Sequence, residues 1–169
     1  KQGMEAVIAK WQATPNSPDA LRELSAGLDR SGNVALEMGY NDQAKALYEL
    51  ALQAYEGLVR LAPTRLDDLR NLSISYDRLG EVAFRTGDLD QVRRRYQQAL
   101  LFREARAKHE PASADAQREL SVSYNKLGDV AALMGQLAEA RRMYEQDLRI
   151  AEALAKLDPT SAAAQRDLC

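Results

Sequence analysis

The side chains best suited to chemistry are few and far apart. The 169-residue chain holds one histidine, His109, and one cysteine, Cys169. A Cys/His nucleophile pair requires the two within hydrogen-bond reach, and they fall in different units of a sequence repeat. Carboxylates such as Glu23, Asp29 and Glu37 are plentiful, but they are spaced like charges on a solvated helix surface. No His/Cys set has metal-ligand spacing, and no glycine-rich stretch has the form of a phosphate loop. The expectation is no catalysis, no metal and no cofactor. What remains is recognition by charged and amide side chains.

The elements that carry those side chains repeat. Pro15, Pro63, Pro111 and Pro159 lie 48 residues apart. Gly32, Gly80 and Gly128 keep the same interval, as do Gly39, Gly87 and Gly135. A fixed long period marks a solenoid whose units bury their apolar faces only by stacking. The register divides the chain into residues 21–68, 69–116 and 117–164, preceded by 1–20 and followed by 165–169. Met4 to Ala13 then reads as the close of a preceding repeat and Gln165 to Cys169 as the start of a fourth.

Within a unit, Leu69, Leu72, Tyr76, Leu79, Gly80 and Ala83 keep one face of a helix apolar. That helix ends near Gly87, which suits a left-handed terminus. Val92, Tyr96, Ala99, Leu100 and Ala107 mark a second helix, interrupted by Pro111. Gly32, Gly80 and Gly128 fall inside the first helices, where glycine costs about 1 kcal/mol relative to alanine. Their recurrence predicts a close helix crossing, with Ala44, Val92 and Ala140 opposite and Tyr48, Tyr96 and Tyr144 one turn on.

Comparing copies exposes an anomaly on the second helices. One stripe reads Leu47, Leu50, Ala54, Leu58, Leu61 in the first copy and Met143, Gln146, Ile150, Leu154, Leu157 in the third. The middle copy has Arg95, Gln98, Phe102, Arg106 and His109 there. Either the flank is half exposed and arginine stems cover apolar surface, or Arg95, Arg106 and His109, with Arg94 and Arg103 nearby, dock an acidic partner. Because the middle copy is less apolar here and the first has Leu28 and Ser31 at motif positions, the third is expected to be the best packed.

Tyr76-x2-Leu79-Gly80-x2-Ala83 and Tyr124-x2-Leu127-Gly128-x2-Ala131, followed by the small residue-x3-Tyr pairs, resemble the tetratricopeptide repeat pattern. The period exceeds that family's usual roughly 34 residues, as in the extended variants of large bacterial multidomain proteins. The resemblance implies an all-α right-handed α-α superhelix, a solenoid of antiparallel helix pairs whose first helices line a concave groove. The groove flank would then carry Asp29 and Asn33, Asp77 and Glu81, Asn125 and Asp129, beside Arg30, Arg78 and Lys126. Such groups can grip a peptide backbone or basic side chains; the competing reading is a solvated face. Asp29, Asp77 and Asn125 stand where some relatives have the lysine of a carboxylate clamp, which disfavours a carboxylate ligand.

The formal net charge of −2 gives no reason to expect nucleic acid. No apolar run approaches the roughly 20 residues of a membrane span, so no membrane partner is expected. One cysteine and the absence of a signal-peptide core fit a cytoplasmic location. The expected function is a non-catalytic protein–protein interaction module holding a peptide or helix in its groove. The alternative is a structural scaffold or oligomerisation arm of a larger multidomain protein with an effector domain elsewhere, self-associating through the array ends.

Overall fold

The computed structural model describes residues 17–157. They form six helices and no strand: α1 (Pro18–Glu37), α2 (Asn41–Leu61), α3 (Leu66–Arg85), α4 (Leu89–His109), α5 (Ala114–Leu133) and α6 (Leu137–Leu157). The all-α expectation is met, and the sequence period is a structural one. Helices α1, α3 and α5 start 48 residues apart, as do α2, α4 and α6. Each first helix starts three residues ahead of the divisions at 21, 69 and 117. Met4–Ala13, Pro15, Pro159 and Gln165–Cys169 lie outside the described residues.

Local chemistry sets the helix ends. Ser17 and Ser113 cap α1 and α5 by accepting from the Ala20 and Ala116 N–H groups, which satisfies one orphan donor at each start. Arg65, at the equivalent position of α3, makes no side-chain cap. At the other end, Gly39, Gly87 and Gly135 have φ of +79°, +79° and +74°. There the Tyr40 N–H donates to the Ala35 carbonyl and the Gly39 N–H to that of Leu36. The same pair of bonds recurs at Asp88 and Gly87 and at Gln136 and Gly135. This is the Schellman arrangement, which needs a left-handed residue that glycine adopts without a Cβ clash.

The chain divides into two units, one running to Arg95 and the other starting at Tyr96. In the first, α1 packs on α2 and α2 on α3; in the second, α5 packs on α6. Leu24, Leu28, Leu36, Tyr48, Leu52, Tyr55, Leu58, Leu69, Leu72, Tyr76 and Leu79 form the buried core of the first unit. Each large side chain so buried contributes roughly 1.5–3 kcal/mol. The second unit buries Ala116, Leu127, Val130, Ala131, Ala140, Ala151 and Leu154.

The third helix pair is therefore not the best packed. Helix α2 buries Tyr48 and Tyr55 with Ala44, Ala51, Leu52, Ala54 and Leu58, whereas α6 buries Ala140, Ala151 and Leu154. Apolar residue types alone do not set burial: α2 is covered by α1 on one side and α3 on the other. Leu28, a departure from the sequence motif, is 4% exposed, so the position remains a core one with leucine in it.

Candidate functional site

Two glycines are occupied by tyrosine rings. A Cβ at Gly32 would lie 2.5 Å from Cε1 of Tyr48, and one at Gly128 would lie 2.5 Å from Cε1 of Tyr144. Such a distance is far inside van der Waals contact, so the missing side chain is what admits the ring. The small residues Ala44 and Ala140 were the expected neighbours, but the nearest atoms belong to the tyrosines. The Tyr48 hydroxyl donates to Asn33 Oδ1 at 2.8 Å, and the Tyr144 hydroxyl donates to Asp129 Oδ1 at 2.8 Å. Asn33 and Asp129 thus serve the helix pair itself.

The next first helix then closes over the tyrosine. From α3, the Arg78 guanidinium lies 5.6 Å from the Tyr48 ring centroid. It also donates to Asn33 and brings Nε to 3.9 Å from the Asp29 carboxylate. Asp29 accepts from the Tyr55 hydroxyl at 3.1 Å. Burial raises the Asp29 pKa against the opposing pull of Arg78 and Tyr55. Burial, reinforced by the Asp29 charge, pushes the Tyr55 phenol up to about 12. Tyr48 is also raised by burial, with Arg78 pulling the other way.

In the second unit the Lys126 ammonium lies 5.1 Å from the Tyr96 ring centroid. Both cations follow their tyrosine by 30 residues. Two positions before each cation stands another tyrosine reaching the same way. Tyr76 donates to Glu56 at 2.9 Å and Tyr124 to Glu104 at 2.8 Å. Burial first and the glutamate second push both phenols up to about 12. A Tyr-x-Arg/Lys pair on a first helix therefore clasps a tyrosine and a glutamate on the second helix before it.

A further clasp joins α1 to α3. Asp68, with its side chain 1% exposed, accepts from Arg22 Nε at 3.1 Å and from Nη2 at 3.0 Å. Arg65 approaches it at 3.7 Å. A fork-to-fork pair of this kind satisfies both carboxylate oxygens, and its hydrogen bond to Asp68 is the leading reason the Arg22 pKa is raised. Sequence reasoning missed Asp68. Its signal was a carboxylate standing where the other copies have Ala20 and Ala116.

Two stretches of the chain, residues 28–63 and 120–159, match family models described as Tetratricopeptide repeat. The chain is a tetratricopeptide repeat protein. Residues 28–63 take in the second half of α1 and all of α2, and residues 120–159 take in most of α5 and all of α6. Among solved structures the tetratricopeptide repeat chain is similar to BtubC (BKLC) from P. vanneervenii, with a TM-score of 0.68 and 18% identity. That match covers 94% of this chain and 57% of the other, so the chain spans less than two thirds of the length of BtubC. At such identity the likeness shows the fold alone. MamA superposes with a TM-score of 0.36 at 18% identity, covering 90% of this chain and 89% of MamA, too loosely to argue from. No curated protein matches the tetratricopeptide repeat chain.

The polar groove residues of these tetratricopeptide repeats do not share one environment. Asp29, Asn33 and Asp77 are half-buried, whereas Glu81, Asn125 and Asp129 are exposed. Asp29 and Asn33 are held by the Tyr48 clasp. Glu81 pairs with Arg85 at 3.1 Å. Asn125 donates to Asp147 at 3.1 Å, and Ser121 donates to the same carboxylate. On the second-helix stripe, Arg95 is half-buried in the first unit. In the second unit Arg106 is ion-paired to Glu110 at 3.1 Å and Glu119 at 2.5 Å, with 13% of its side chain exposed, while His109 is exposed. The Arg106 charge is thus already matched. Arg103 is buried and donates to Ser123 at 2.6 Å.

A cavity of about 520 Å³ is lined by Leu21, Leu24 and Leu28 of α1 and by Leu50, Gln53 and Ala54 of α2. Among the described residues no group of His, Cys, Asp and Glu could hold a metal ion. Among them, too, no helix is long and apolar enough to cross a membrane.

Proposed function

We propose that the chain is a non-catalytic protein–protein interaction module that holds a peptide or helix along the groove flank of its first helices. In the first unit that flank is α3, where half-buried Ile74 and Asp77 adjoin exposed Glu81 and Arg85. The observation that carries the reading is the Glu81–Arg85 pair. Its side chains are 52% and 41% exposed, and an exposed pair one helical turn apart is worth only about 0.3–0.5 kcal/mol. Arg85 also donates to the Leu36 carbonyl at 3.0 Å, so it is the Glu81 carboxylate that can change partners at little cost. The groups locked in the Tyr48 clasp cannot. A segment with a basic residue beside an apolar one matches Glu81 and Ile74.

The test is a panel of extended peptides, basic, acidic and neutral, titrated against the chain and its Glu81→Lys variant. Binding of basic peptides should weaken at least about fivefold in Glu81→Lys, in line with the loss of a hydrogen bond to a charged group. It should be unchanged in Asp42→Lys, which alters an exposed carboxylate on α2. Equal loss in both variants would reduce the effect to overall charge and remove the groove reading.

A further inference from the structure

The hairpin-turn edge of the first unit carries exposed apolar side chains away from the packed helix faces. Met38 and Tyr40 flank Gly39 in the turn between α1 and α2 and are 62% and 55% exposed, and Phe84, in the last turn of α3, is 52% exposed. The bond from Arg85, next to Phe84, to the Leu36 carbonyl ties the end of α3 to the end of α1 and sets these side chains along one edge. Their exposure does not come from the ends of the chain. Thr86 and Asp88, the equivalents of Met38 and Tyr40, are exposed although α2 packs on α3, so these positions lie outside the packed faces. Val34 differs, because its equivalents Val82 and Val130 are buried; it belongs to a stacking face and is no part of the edge.

The rim of this patch is acidic. Glu37, Asp42 and Asp88 are exposed on the same two turns. Residues 37–42 and 84–88 hold one cation, Arg85, and it is engaged by Glu81 and the Leu36 carbonyl. Aromatic and methionine side chains ringed by polar ones are the make-up of an interface core and its rim, and carboxylates in the rim steer and select a cationic partner. We propose that this edge docks a basic amphipathic helix of another protein. Its apolar face covers Met38, Tyr40 and Phe84, and its flanking lysines or arginines meet Glu37, Asp42 and Asp88. The edge is separate from the groove reading, since Met38 and Tyr40 belong to the turn after α1 and not to the flank that carries Glu81.

The probe is a fluorescent designed helix of leucine and lysine, with a leucine–glutamate helix and a lysine–serine peptide as controls. Anisotropy should show the leucine–lysine helix binding the full chain about tenfold more tightly than either control. The double variant Met38→Ser, Tyr40→Ser and the single variant Phe84→Ser should each weaken that binding about tenfold, the loss expected of an anchor in an interface core. Leu101→Ser, at a leucine of α4 that is 63% exposed, should leave it unchanged. All these side chains are more than half exposed, so serine leaves the core intact. Equal binding of the leucine–glutamate helix would reduce the effect to apolar adhesion, and equal binding of the lysine–serine peptide to bare charge; either overturns the proposal. So does a loss in Leu101→Ser equal to that in Phe84→Ser. Weakening in Glu81→Lys with none in the Met38→Ser, Tyr40→Ser variant would overturn the edge site and leave the groove flank standing. Concentration-dependent mass that Tyr40→Ser abolishes would make the occupant a second copy and overturn the proposal too.

Discussion

The first and third helix pairs contain the same wedge in different surroundings. In each, a tyrosine ring lies on a helical glycine, with the two would-be Cβ contacts both at 2.5 Å, and its hydroxyl donates to the residue after that glycine. Yet Tyr48 is fully buried and Tyr144 is 36% exposed. Within a pair, sequence sets the wedge. What lies across it sets the burial, and Arg78 from α3 supplies that cover for Tyr48. The contrast separates intrinsic packing from stacking, the two contributions on which a repeat protein's stability is built.

Truncating the two tyrosines should show the largest difference. Tyr48→Ala removes a buried aromatic and the ring beneath the Arg78 guanidinium, and should cost about 3–5 kcal/mol. Tyr144→Ala should cost about 1 kcal/mol. Urea unfolding of both variants measures this. Equal losses would mean that the α3 cover contributes nothing to the Tyr48 site.

Next in size is the buried ion pair that the first unit has at Asp68. Asp68→Asn leaves the shape but removes the charge facing Arg22, and should destabilise by about 2–3 kcal/mol. At the equivalent site of the third pair, Ala116→Asp would add a carboxylate where alanine is 1% exposed, and should also destabilise. A neutral Asp68→Asn, by thermal or urea unfolding, would place the fork outside the folded-state energetics.

How far the sequence could be read depends on how local each demand is. The prolines after α2 and α4, the turn glycines and the helix-interior glycines were legible, because each meets a backbone or steric requirement within a few residues. The tetratricopeptide pattern followed from them. Asn33 and Asp129 were legible as polar positions but not as tyrosine partners, because the hydroxyl arrives from another helix 15 residues on. Arg78 was visible only as a charge beside the groove; its task depends on Tyr48, 30 residues earlier. Asp68 pairs across 46 residues, so its partner was not legible, and only its departure from the alanines of the other copies marked the position. The packing order was misjudged for the same reason, since composition describes a helix and not what covers it.

The glycine wedge itself offers a finer comparison. Gly32→Ala gains about 1 kcal/mol of helix propensity but drives a methyl into a ring held on all sides, an overpacking cost of about 1–3 kcal/mol. Gly128→Ala meets the same atoms, but the half-exposed Tyr144 ring can swing outward. Gly32→Ala should therefore destabilise by about 1 kcal/mol net, and Gly128→Ala should be near neutral. Matching destabilisation would show the Tyr144 ring to be as confined as that of Tyr48.

The turn glycines should erase the difference between the regions. Gly39, Gly87 and Gly135 share a left-handed φ, and no atom lies within 4 Å of a Cβ built on any of them. Alanine at each meets no neighbour, so its only cost is the backbone strain of about 1 kcal/mol that an L-residue incurs there. That strain arises within the turn and owes nothing to helices stacked above or below. The three alanine variants, compared by chemical denaturation, should lose equal stability while the tyrosine variants differ. If Gly135→Ala costs clearly less than Gly39→Ala, the turn after α5 is relaxing under the substitution, and the contrast between the pairs extends from their covering to their backbone.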